Sequence, residues 1–140
     1  MRKLFATHNA SLSFNIAALI LRFGMGILMI PHGYAKLVSF AERKDRFMEF
    51  IGLSSSASLG LAIFSELFCA VLLVLGLATR LATIPLIITA LVIMSVHHWT
   101  FFGDHDLIVA LFIGYVAILF LGPGDFSLDK LLVSRSVYRK

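Results

Sequence analysis

Apolar and polar positions follow a helical period along much of this chain, most plainly from Ser11 to Leu37. Positions 11, 15, 18, 22, 25, 29, 32 and 36 are separated by alternating steps of four and three, which on a helix is one narrow stripe. That stripe reads Ser, Asn, Ala, Arg, Met, Met, His, Lys, while Leu19, Phe23, Ile27, Leu28 and Ile30 face elsewhere. The segment is long enough to cross a bilayer. Charged groups inside such a segment turn toward protein or water, so the remaining chain is expected to supply partners for Arg22, His32 and Lys36.

The same reading places helix 1 at about 12–37 and three further spans at about 57–77, 81–98 and 105–121. Pro31 and Gly33 weaken the backbone bonding beside His32, where a membrane helix opens toward a cavity. Residues 38–56 mix dense charge with Phe40, Phe47, Met48, Phe50 and Ile51, which predicts an amphipathic helix on the membrane surface, ended by Gly52. Ala110 and Gly114 give the last span a face of small residues for close helix contact, and Gly122 with Pro123 stops it. The final segment, from Ser127 onward, reads as a short basic amphipathic tail. The prediction is one all-α domain over 1–140, an integral membrane four-helix bundle with a surface amphipathic segment between helices 1 and 2.

Composition strengthens this reading. The chain is 59% hydrophobic and 14% charged, with a mean hydropathy of +0.95, outside the range of ordinary soluble domains. The net charge of +4 sits in loops and tails, so it reads as a topology signal and not as a nucleic-acid surface. Seven Lys and Arg residues (Arg2, Lys3, Arg80, Lys130, Arg135, Arg139, Lys140) fall on one side and four (Lys36, Arg43, Lys44, Arg46) on the other. Both termini are therefore expected in the cytoplasm. The N-terminal run is too long for a secretory signal, contains Arg22 and lacks a small-residue cleavage site. One cysteine, Cys69, excludes disulfide, thiol-exchange and iron–sulfur chemistry intrinsic to the chain.

Two constellations carry candidate chemistry. Arg22 and Glu66 each lie about 15 Å in from opposite ends of their helices, which puts both near the midplane and predicts an ion pair, either a clasp or a proton relay. His32, His97, His98 and His105 gather at the opposite membrane surface with Lys36, Asp104 and Asp106. Such a group suits a quinone head group, a haem or a metal, or else an interfacial belt with Trp99 and Tyr34. The spacing assigns no metal ligand set, since side chains at 97 and 98 diverge by about 100°. His32 stands apart because it shares the stripe of Arg22. Met25, Met29 and Met94 read as packing residues, and the hydroxyl of Tyr115, near mid-depth, needs a partner.

Arg22, Gly26, His32-Gly33, Lys36-Leu37, Glu66, the run Leu75–Arg80 and the closing LGPGDFSLD together resemble the DoxX family of small bacterial inner-membrane proteins, over nearly the whole chain. The resemblance implies a four-helix membrane bundle and a link to quinone-dependent respiratory redox complexes, so that quinone is the cofactor it points to. On that basis the first functional expectation is a quinone-linked redox subunit, with His32, Lys36, His97 and His98 toward the quinone and Arg22 with Glu66 as relay or structural pair. The expected partners are the lipid bilayer, redox-complex subunits and a further copy of the chain. A second expectation, from a different class, is a membrane partner or assembly protein without chemistry of its own. A permeation path along the stripe is the weakest reading, since so small a bundle has scant room for a lumen.

Overall fold

The computed structural model describes residues 10–50, 52–96 and 106–137. Every regular element among them is helical: α1 (Ala10–Val38), α2 (Phe40–Arg43), α3 (Ser55–Leu75), α4 (Thr79–Val96), α5 (Asp106–Leu121) and α6 (Leu128–Val137). Three of these, α1, α3 and α4, are long and apolar enough to cross a membrane. The apolar α5 has 16 residues, about 24 Å of helix. Large apolar side chains cover the outside, with Leu81 70% and Phe120 77% exposed, as suits a surface that meets lipid and not water. A core of Met29, Ala70, Leu73, Leu86, Leu111 and Tyr115 draws on all four long helices.

Two glycines set the register of α1 on α3. A Cβ on Gly26 would lie 2.9 Å from the Ala70 carbonyl oxygen, and one on Gly33 would lie 2.7 Å from the Glu66 carbonyl carbon. Only glycine allows backbones to approach so closely. Continued down the helix, this register sets Arg22 against Gly76, at the far end of α3. The small-residue face expected on α5 is used only in part. Gly114 packs under Met25, whereas Ala110 is exposed.

Helix α3 widens into a π-helical turn over Phe64–Cys69. The wider turn brings the adjacent Ser65 and Glu66 both inward, 2% and 1% exposed. Gly76, at φ 69°, then closes the helix: Gly76 N–H donates to Leu73 O at 3.1 Å and Leu77 N–H to Leu72 O at 3.0 Å, the pairing of a Schellman cap. The segment after α2 departs from the expected surface helix. It is helical only over Phe40–Arg43, and then turns so that Phe50 N–H donates to Ser58 Oγ at 2.9 Å. A short, highly charged helix has little stability of its own, and the contact with α3 takes its place.

Candidate functional site

A buried ion pair joins Lys36 to Glu66. Both Glu66 oxygens accept from Lys36 Nζ. The expected Arg22–Glu66 pair does not form, because the glycine register places Gly33, and hence Lys36 one turn on, level with Glu66. Arg22 lies fourteen residues back along α1 from Lys36, about 21 Å away. Depth counted from the helix ends brings Arg22 level with Glu66 only if the ends of α1 and α3 are themselves level. Helix α1, at 29 residues, instead runs well past Gly76.

Arg22 belongs to a separate construction at the Gly76 end. Its Nη2 donates to Phe126 O at 2.6 Å, and the residue is 1% exposed. Nε and Nη1 have no hydrogen-bond partner among the described residues. Around it, Asp129 accepts from Ala78 N–H at 2.7 Å, Thr79 N–H at 2.9 Å and Thr79 Oγ1 at 2.8 Å, while its own N–H donates to Gly76 O at 2.9 Å. These bonds cap the start of α4 and hold Ala78 at φ 47°, a left-handed conformation that costs an L-residue about 1 kcal/mol or more. Asn15 exchanges two hydrogen bonds with Asp125, at 2.7 and 2.9 Å. Lys130 Nζ lies 2.9 Å from the same carboxylate. Together Lys130 and Asn15 hold the Asp125 carboxyl below its ordinary range.

Two cavities meet at the Lys36–Glu66 pair, and Ile93 lines both. The smaller, about 190 Å³, lies among α1, α4 and α5 and is lined by Met29, His32, Leu107, Ile108 and Leu111 as well. His32 is exposed yet reaches this cavity, so among the described residues it is the histidine beside the pair. His97, His98 and His105, with Trp99, lie outside the described residues. The larger cavity, about 320 Å³, lies between α3 and α4 under Phe47, Met48 and Phe50. Its polar members beyond the pair are Ser58, Ser65 and Thr89, and Thr89 Oγ1 donates to Ser65 Oγ at 2.8 Å.

Sequence reasoning missed Ser65 and Thr89, which in apolar runs look like isolated small polar residues. It also missed Lys36 as the partner of Glu66, although the glycines at 26 and 33, one heptad apart, carry the register that pairs them. Tyr115 is fully buried, and its hydroxyl donates to Met25 O at 3.4 Å, the limit of a hydrogen bond. Among the described residues, no group of three or more His, Cys, Asp or Glu side chains stands close enough to hold a metal ion.

The sequence model of the DoxX family matches residues 17–99. That stretch contains α3, α4 and most of α1, with Arg22, His32, Lys36 and Glu66 inside it. Comparison with characterised proteins and with solved structures finds no match.

Proposed function

The chain belongs to the DoxX family of membrane proteins, and we propose that it is a quinone-linked redox subunit whose quinone-binding end lies at the Lys36–Glu66 pair. In this reading four helices span the bacterial inner membrane with both termini cytoplasmic. The observation that carries the proposal is a buried ion pair flanked by two apolar cavities, one of them reached by an imidazole. An apolar pocket with a few convergent polar groups is the usual form of a small-molecule site. Lys36, one-fifth exposed, donates to the quinone oxygen, His32 exchanges protons at the surface side, and Glu66 keeps Lys36 oriented. Electrons come from a partner redox subunit. Arg22 acts as a structural clasp and stands outside the proton path.

The test is protection of the purified full chain against thermal unfolding by a short-chain quinone. Protection should fall at least about tenfold in apparent affinity in Lys36→Met/Glu66→Gln, where a charge-assisted hydrogen bond is lost. It should weaken in His32→Ala. Equal protection in wild type and both variants overturns the site and leaves the partner-protein reading in its place.

A further inference from the structure

The larger cavity offers hydrogen-bond donors in excess of acceptors. Lys36 Nζ gives two of its three N–H groups to Glu66, which leaves one unassigned. Ser65 Oγ accepts from Thr89, so its own hydrogen points away from that bond, and no described carbonyl takes it. Both residues line the cavity, whose other members, apart from Ser58, Glu66 and Thr89, are apolar, among them Leu61, Phe64, Pro85, Ile88 and Val92. Both oxygens of Glu66 already accept from Lys36. A cationic guest would therefore have to displace Lys36, and an anionic one would lie against the Glu66 carboxylate. A neutral guest with an acceptor oxygen meets neither penalty.

Size narrows the class further. A cavity of roughly 150 Å³ holds one benzene ring, so the 190 Å³ cavity beside His32 takes a single ring and the 320 Å³ cavity takes two. We propose that the larger cavity is a binding site for neutral two-ring ketones, the carbonyl oxygen accepting from Ser65 Oγ–H and from the third N–H of Lys36. Thr89 positions the Ser65 hydroxyl. Phe47 and Phe50, half-buried and tied down by the Phe50–Ser58 bond, cover the rings. The site shares Lys36 with the quinone reading above and needs no redox step.

The experiment measures saturable binding of 1-tetralone, and of its hydrocarbon analogue tetralin, to the full chain in detergent micelles, with empty micelles as reference. The expected result is a preference for the ketone of about tenfold, the worth of one to two hydrogen bonds. Ser65→Ala should cut that preference to about threefold and leave tetralin binding unchanged. Ala62→Phe, which fills the cavity, should abolish binding of both, and Leu107→Phe, in the smaller cavity, should leave both unchanged. Equal binding of ketone and hydrocarbon to wild type, non-saturable binding, or loss on Leu107→Phe but not on Ala62→Phe overturns the site. Because the Ser65→Ala comparison is internal to one folded variant, it decides even if Ala62→Phe fails to fold. Quinone protection without saturable tetralone binding overturns this site alone. Tetralone binding without quinone protection overturns the redox reading alone.

Discussion

At the Gly76 end a buried arginine is met by a backbone carbonyl, and the groups around it close loops. At the level of Glu66 a buried carboxylate is met by a lysine, and the groups around it border empty space. Both ends draw on the same polar stripe of α1, Asn15 and Arg22 on one side, His32 and Lys36 on the other. At the first, Asp129 ties the 122–129 segment to the α3–α4 turn, Asn15 ties it to α1, and Ser127 accepts from Lys130 N–H at the start of α6. Neither cavity at the Glu66 level reaches Arg22, and the open groove of about 370 Å³ at the Gly76 end, lined by Ala78, Thr79, Arg80, Leu81, Pro123 and Asp129, does not reach it either. At the second, Lys36 and Ser65 keep donors to spare beside two cavities. A buried charge in a membrane helix is therefore not in itself a site: Arg22 also keeps Nε and Nη1 without a hydrogen-bond partner among the described residues, so what separates the two ends is whether the charge itself borders a cavity.

The largest effect is expected where the contrast is sharpest in packing. Gly76→Ala forces an L-residue into the left-handed region and drives a Cβ to within 1.8 Å of Arg22 Nη1. A loss of about 3 kcal/mol in chemical or thermal unfolding in detergent is expected. Next is Lys36→Met, which strands Glu66 and should also cost about 3 kcal/mol. Adding Glu66→Gln should restore a good part of it, whereas Arg22→Ala and Glu66→Ala should add to within about 0.5 kcal/mol. Coupling between Arg22 and Glu66 would place the ion pair back where the sequence first suggested it.

Asp129→Ala removes three accepted hydrogen bonds at the start of α4 and should cost about 2 kcal/mol. It should leave ligand binding at Lys36 intact at a temperature where the variant is folded. The smallest effect concerns Asp125. Its carboxyl is held low in the native state by Lys130 and Asn15, so its contribution is present above the ordinary carboxylate range and is lost as pH falls through the lowered native value. Asp125→Asn should therefore flatten the acid limb of stability below about pH 4 and change little at pH 7.

Much of this was legible in the residues themselves. The stripe on α1 names Asn15, Arg22, His32 and Lys36, and all four turn out to be engaged or beside a cavity. The helix end at Leu121 follows from Gly122, at φ 79°, whereas Gly76, at φ 69°, ends α3 at Leu75, two residues before the expected 77. The pairing failed because it depended on register, and register lies in the two glycines that let α1 and α3 touch, not in the distance to helix ends. The π-helical turn was beyond reach for a similar reason. No residue in Phe64–Cys69 forces it, and it arises where Ser65 and Glu66 are each engaged by a different helix. The residues covering the larger cavity were noticed in the sequence as a membrane-surface face, since periodicity records which side of a segment is apolar but not what it covers.

The most direct test of the central claim, that the Lys36–Glu66 level is the binding end and the Gly76 end a clasp, is equilibrium binding of a short-chain quinone to three proteins at one temperature where all are folded. These are wild type, Lys36→Met/Glu66→Gln, and Asp129→Ala. The account predicts wild-type affinity in Asp129→Ala and at least about a tenfold loss in the Lys36/Glu66 double variant. Loss of affinity in Asp129→Ala with the double variant unchanged would contradict it.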